Sequence, residues 1–434
     1  MRYAASAGLG AGLAAIAASV VLAQPTSAPY LWILHALGWV LMVLCIQRWG
    51  LPPNAMRMMT ATLVLCVGWT MGTSAWLHEM PISDDVYRYM WDGHVTTSGI
   101  NPYAHPPNHE TLERLAFEPT GRYRLPDDVK YGHMTTIYPP GGQLLFAATT
   151  AIGGTTLGGW LLAWQAILIA LATALLLAIR RNYRWLAIAT LLNPIIIING
   201  LREPHLDVVM ALLTVIGVAL WERNSPIASG ISLAVAMATK YLAGMVVPLL
   251  LTARSKVSRT IVVVAVISVA LLYAPFLGSN VVGSLGTFAS KFQANSLMAA
   301  LLLGMGMESS TMHMALLACM GLAAGLLLWR YRFSPAYAIS VATMAMICLS
   351  PVAHPWYLAL PVLLFAMAPT RAVVASTLLL PLYLVGWHEY TNGGTWKEGA
   401  AVLLAEWLPI MACVVADVVR PPRWPTSEPP SEKH

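Results

Sequence analysis

The run from about residue 155 to residue 179, opening T-T-L-G-G-W-L-L-A-W and closing L-L-L-A-I, contains no charged side chain. It is long enough to cross a bilayer, where a backbone must satisfy its own polar groups and therefore folds as a helix. Comparable runs fill most of the chain. The first extends from Met1-Arg2 to Ala23, and others fall at about 30–47, 58–77, 185–199, 207–221, 226–252, 260–277, 312–329, 335–350, 355–369, 372–387 and 399–419. The pattern predicts an all-α polytopic transmembrane bundle with about 12–14 membrane segments, some of them shorter than the ~20 residues that cross a bilayer squarely. Composition agrees. Of 434 residues, 58% are hydrophobic and only 10% charged, against roughly 25% charged in a soluble protein. We read residues 1–434 as one membrane domain.

The first run resembles a signal peptide, with a small-residue site near Val21-Leu22-Ala23. An uncleaved first span is the reading that keeps the later topology consistent. The five cysteines (Cys45, Cys66, Cys319, Cys348, Cys413) lie inside apolar runs, so neither a disulfide framework nor a metal knuckle is indicated. The net charge of +6 comes from basic residues in short turns between apolar runs. That distribution sets topology and does not describe a nucleic-acid surface.

Placing Arg180, Arg181, Arg184, Arg223, Arg254, Lys256, Arg259, Arg330, Arg332, Arg371 and the tail 420–434 in the cytoplasm orients the bundle. The orientation works if the segment 226–252 is a broken hairpin with Lys240 at its middle, near the outer face. Parity then puts outside the long segment 78–154, the turn 199–207, the loop 278–311, the turn Pro351–Pro355 and the turn His388–Lys397. Within 78–154, the stretch from Tyr138-Pro139-Pro140 to Ile152 is too short to span and reads as a re-entrant or interfacial helix.

Most of the ionisable residues fall in those external segments. Pro81 to Pro107 reads P-I-S-D-D-V-Y-R-Y-M-W-D-G-H-V-T-T-S-G-I-N-P-Y-A-H-P-P. Ser83 suits an N-cap, Asp84 and Asp85 suit the positive end of a helix, Gly99 suits its stop, and Asn101-Pro102 forbids continuation. Asp84, Arg88 and Asp92 recur at four-residue spacing and share a face, with Tyr87 and Trp91 as an aromatic stripe beside them. The turn N-G-L-R-E-P-H-L-D gathers Arg202, Glu203, His205 and Asp207. The loop 278–311 adds Lys291, Gln293 and Asn295, and S-P-V-A-H-P-W-Y adds His354 and Tyr357. His94, His105, His109 and His133 suggest a metal at first sight, but Pro106 and Pro107 break helical spacing between His105 and His109, and no metal site is predicted.

Carboxylates at a helix start can take a proton from an acceptor hydroxyl. Cations at nearby helix ends can hold a phosphate and stabilise the charge on it as it leaves. On this reading Arg88, Arg202, His205, Asp207, Lys240, His354 and Tyr357 bind the donor and its phosphate. Tyr87, Trp91, Tyr138 and Asn295 contact the acceptor or the loop. Lys240 within an apolar segment must face a partner or water. Asp92 reads as the structural partner of Arg88. His354 is equally suited to phosphate contact or to packing at a helix cap.

The motif S-D-D-V-Y-R-Y-M-W-D-G-H-V with I-N-P-Y, then I-Y-P-P, H-L-D, T-K and S-P-V-A-H-P-W-Y in that order, resembles the GT-C superfamily of membrane glycosyltransferases over about residues 57–419. The nearest likeness is to the bacterial branch of polyprenyl-phosphate-mannose-dependent mannosyltransferases. The resemblance implies inverting transfer of a hexose, mannose first, from a polyprenyl-phosphate sugar to a glycolipid or glycan acceptor. It places the work at the external face of the bacterial cytoplasmic (inner) membrane, with 78–154 as the catalytic loop. It implies Asp84 as catalytic base with Asp85 as its neighbour, and Asp207 as the second carboxylate. No cofactor is required, and a divalent cation bridging Asp84 or Asp85 to the phosphate is left open. The alternative is a lipid-linked-sugar flippase or other transporter, which needs no base.

Overall fold

The computed structural model describes residues 2–22, 28–74, 83–387 and 399–422. The turn 388–397, the end of the tail, Ala23 and the residues leading into Ser83 lie outside this set. Among the described residues the protein is all-helical, with no β-strand. Among the described residues six helices are long and apolar enough to cross a membrane: Tyr3–Val21, Leu31–Trp49, Leu157–Ala178, Lys256–Phe276, Ser309–Arg330 and Ala400–Val419. A seventh is added if the pair Arg181–Leu191 and Pro194–Arg202, bent by 65°, is one span. Several of the other runs read as membrane segments form shorter apolar helices, among them Pro226–Thr239, Tyr241–Ala253 and Pro335–Leu349, while the run at 58–77 forms a 20-residue helix, Ala55–Ser74, that is not among the six. The sequence reading expected about 12–14 membrane segments; among the described residues six helices, or seven with the bent pair, are long and apolar enough to cross a membrane.

The backbone divides into two compact units, one of Met1–Val67, Leu175–Ile197 and Phe292–His434, the other of Gly68–Ala174 and Ile198–Lys291. In the first unit, α1 (Arg2–Val21) lies along α2 (Ala28–Trp49). Gly12 and Gly38 meet backbone to backbone, so that a Cβ on Gly12 would stand 2.6 Å from the Gly38 carbonyl oxygen. Small residues permit this approach, which is how helices gain contact where lipid supplies no hydrophobic drive.

The apolar run at 185–199 is broken. Helix α7 (Arg184–Leu191) ends at Asn193-Pro194, because proline has no N–H for the ladder. The carbonyls released by the break are taken by side chains of α2. Trp39 Nε1 donates to Ala189 O at 2.7 Å, and His35 Nε2 meets Leu192 O at 2.9 Å. Asn193 accepts the N–H of Ile195 at 2.9 Å and so opens the next turn. A broken helix inside a bundle persists when neighbours satisfy its freed groups in this way.

The second unit is organised on α4 (Asp85–Thr97) and α5 (Pro140–Gly153), which pack together. Gly93 permits that packing: a Cβ there would sit 2.5 Å from the Phe146 carbonyl oxygen. Beside it Tyr89 stacks on Phe146 with centroids 4.4 Å apart, and Trp160 stacks on Trp164 at 5.5 Å. Helix α5 is the short apolar helix expected after Tyr138-Pro139-Pro140. The segment 226–252 is broken at the expected residue: α10 (Pro226–Thr239) ends on Lys240, whose backbone is extended. A 3₁₀ turn, Tyr241–Met245, and α11 (Val246–Ala253) follow.

Candidate functional site

The acidic pair stands at the start of α4, one residue out of the expected register. Ser83 is not the cap. Its Oγ accepts the N–H of Asp85 at 3.3 Å, and Asp84 occupies the cap position without a side-chain cap bond. The Ser83 bond reaches the N–H two residues on, the pattern of a cap on a helix that begins one residue earlier. Asp84 therefore lies just outside the helix and Asp85 in its first turn. The stop at Gly99 is as expected, with φ at +77°. The N–H of Ser83 donates to Glu203 at 3.1 Å, which ties the entry of α4 to the turn that carries His205.

Three interactions surround the pair, all within the second unit. Asp84, 47% exposed, lies 3.6 Å from Lys130 of the loop before α5. Asp85 lies 3.9 Å from Nε2 of buried His205. The other ring nitrogen of His205 is 2.9 Å from the Glu203 carbonyl oxygen. A carbonyl only accepts, so Nδ1 carries the proton of that bond and Nε2 is the atom facing Asp85. Asp207, in the first turn of α9 (Leu206–Glu222), receives both its oxygen contacts from Lys240 Nζ, each at 2.6 Å. The partner that Lys240 required is thus a carboxylate.

Asp85 is the electrostatic centre of this group. Protein around it raises its carboxyl to about 7; Asp84 and Asp207 add to the rise, while Lys240 and Lys130 oppose it. The side chain is still 37% open to solvent. Its protonated carboxyl band should accordingly be present in infrared spectra below pH 7 and fade above it, and Asp85→Asn should remove the titrating band. Lys130→Met should move the midpoint up and Asp84→Asn should move it down, because each deletes a charge of known sign. A midpoint near the ordinary carboxylate value of about 4 would contradict this account of the site.

Other residues singled out in the sequence lie elsewhere. Arg88 turns away from Asp84: Nε donates to Asp92 at 2.8 Å and Nη1 to the Met134 carbonyl at 3.1 Å. Asp92 is the structural partner it was read to be, and Gln143 of α5 donates to its second oxygen at 3.2 Å. Tyr87 and Trp91 are buried, with Tyr87 stacked on Tyr123 at 4.7 Å and Trp91 on Phe117 at 6.3 Å, so both contact the loop. Tyr138 stands edge-on to Tyr89 and Phe146. Arg202 closes a π-helical turn, Ile197–Arg202, and is partly buried.

His354, Tyr357 and Asn295 belong to the first unit. His354 Nδ1 meets the Tyr383 hydroxyl at 3.0 Å, and its ring stacks on Trp356 at 4.5 Å with Tyr357 edge-on. Asn295 is fully engaged: Nδ2 donates to Ala353 O at 3.2 Å and to Glu406 at 2.9 Å, and Oδ1 accepts from Trp407 at 3.4 Å.

The two prolines after His105 do not hold it away from His109. They turn the chain so that the rings stack at 4.2 Å, with His109 Nδ1 also 2.9 Å from the Thr111 hydroxyl. Among the described residues no group of three or more His, Cys, Asp or Glu side chains is arranged to hold a metal ion.

Sequence reasoning passed over Lys130 and Gln143. Nothing in the loop around Lys130 repeats, so no periodicity could mark it. Gln143 did carry a signal, as a lone amide at the start of an otherwise apolar helix. Comparison with protein-family models, with curated proteins and with solved structures returned no match.

Proposed function

We propose that this chain is a polytopic membrane glycosyltransferase of the GT-C kind. It moves a hexose, mannose first, from a polyprenyl-phosphate donor to a glycolipid or glycan acceptor at the external face of a bacterial cytoplasmic membrane. The observation that carries the reading is the meeting, within one unit, of the Asp84–Asp85 pair with His205 and the Asp207–Lys240 pair. Asp84, the more exposed carboxylate, takes the proton of the acceptor hydroxyl. The oxygen attacks the anomeric carbon, the bond to the phosphate oxygen breaks, and the configuration inverts. The departing phosphate gains a negative charge, which on this reading Lys240 stabilises. Asp85 and His205 lie behind Asp84 and set the charge around it. A divalent cation between the acidic pair and the phosphate would act on the same developing charge.

The direct test incubates the purified protein with radiolabelled polyprenyl-phosphate sugars and candidate glycolipid acceptors, with no gradient imposed. Labelled product supports transfer. Donor movement across proteoliposomes without any product would point to the flippase reading and end this one. Orientation has its own test. Ser98 is exposed and Thr120 partly so. Cysteines placed there, in a background with exposed Cys319 replaced by serine, should react with an impermeant thiol reagent in intact spheroplasts. Reaction only after lysis would put the acidic pair in the cytoplasm and remove the lipid-linked donor from the reading.

A further inference from the structure

We infer that the turn between α11 and α12 (Lys256–Tyr273) is a binding seat for an anionic glycerophospholipid, separate from the acidic site and independent of the glycosyl-transfer reading. A groove of about 550 Å³ opens there, lined by Arg254 and Arg259 together with Leu250, Leu251, Val262 and Val263. Arg254 sits in the left-handed region, with φ at +49°, and directly follows α11. Ser255 and Ser258 then cap α12 reciprocally, so the two-residue turn is held where it enters α12. Arg254, Lys256 and Arg259 are all exposed, and no acidic residue occurs between them. Among the described residues neither guanidinium has a hydrogen-bond or ion-pair partner.

Basic residues in membrane-protein turns ordinarily set topology, and these do suit that role. The groove adds a shape that topology does not need. Two guanidinium groups offer paired donors that match phosphate oxygens better than a single ammonium does. The walls are apolar, and one of them continues out of the groove. On α12, Val263 (57% exposed), Val266, Ile267 and Leu271 follow one another at helical spacing along an exposed face. That face extends to about 18 Å along the helix from Arg259. A phosphodiester at the turn would therefore have its acyl chain laid along α12, which is itself long and apolar enough to span a membrane. The combination of unpartnered cations, an apolar cleft and a continuing apolar stripe selects a lipid over a free anion.

The test uses the full chain in a neutral detergent and native mass spectrometry with added phosphatidylglycerol or phosphatidylcholine. Phosphatidylglycerol should be retained in preference. Arg254→Gln with Arg259→Gln should weaken that binding about twenty-five-fold, from about a factor of five per arginine, and leave phosphatidylcholine unchanged. Lys at both positions should keep most of the preference, and Arg330→Gln with Arg332→Gln, a removal of equal charge elsewhere, should keep all of it. If the double variant does not fold, Arg259→Gln alone should still show about a fivefold loss. Equal retention of the two lipids by the wild type, or an unchanged preference in the glutamine variant, would overturn the seat. Displacement of phosphatidylglycerol by inorganic phosphate as readily as by its short-chain form would make the groove a free-anion site and overturn it equally.

Discussion

Asp84→Asn should lose glycosyl transfer by about 10²–10⁴-fold while folding and binding donor as the wild type does. The separation of the two effects follows from where Asp84 stands. It occupies the cap position of α4 without making a cap bond, and asparagine is as good a residue there as aspartate. Its ionic contact, with Lys130 at 3.6 Å, joins two side chains that are 47% and 38% exposed. A pair so open to water contributes about 1 kcal/mol at most. Melting temperature should therefore change little, and a large loss of rate has no structural route. The measurement is single-turnover transfer at saturating donor, with donor binding measured separately. Asp85→Asn is the comparison that gives the result its meaning. If Asp85→Asn is inactive and Asp84→Asn transfers normally, the proton acceptor is Asp85, whose carboxyl already lies near neutrality. If both variants transfer normally, general-base chemistry at this pair is wrong.

The helix that carries this pair was legible because several local signals agreed: acidic residues at its start, a glycine at its stop and a proline beyond it. Only its first residue was misplaced, by one position: the Ser83 hydroxyl accepts the Asp85 N–H, and the helix begins after Asp84. The breaks at Lys240 and at Asn193-Pro194 differ in the same way. A lysine in the middle of an apolar segment announces a discontinuity by its cost. Asn193-Pro194 was passed over inside an apolar run, although proline predicts a break there. What satisfies such breaks was not legible. The carbonyls near Pro194 are held by Trp39 and His35, more than a hundred residues away in the chain, and no local pattern encodes that pairing. Lys130 lay hidden for a related reason, since a loop residue is placed by the fold of its loop and not by a period. The aromatic pair Tyr87 and Trp91 was correctly seen as a stripe. Which rings would stack on them depended on where Tyr123 and Phe117 of the loop came to rest.

Lys240→Met should be strongly damaging, and the reason is Asp207. The carboxylate is only 4% exposed, and both oxygens are held by Lys240 at 2.6 Å. Removing the ammonium leaves a buried charge with its counter-ion gone, which typically costs about 3–5 kcal/mol. Low yield or a lowered melting temperature is expected for Lys240→Met. Lys240→Arg should be partly tolerated, because a guanidinium can grip the same carboxylate with two donors. Stability alone does not say whether Lys240 also meets a phosphate. The double variant Lys240→Met with Asp207→Asn separates the two roles, since it removes the cation and the charge that needs it together. Its stability should recover most of what the single variant lost. Transfer should not recover, because a positive charge at the end of α10 is what a phosphate leaving group requires as it ionises. A double variant that folds and transfers at the wild-type single-turnover rate would reduce Lys240 to the structural partner of Asp207. The developing phosphate charge would then have to be met by a different cation, and Arg202, at the turn just before Asp207, would be the next to replace.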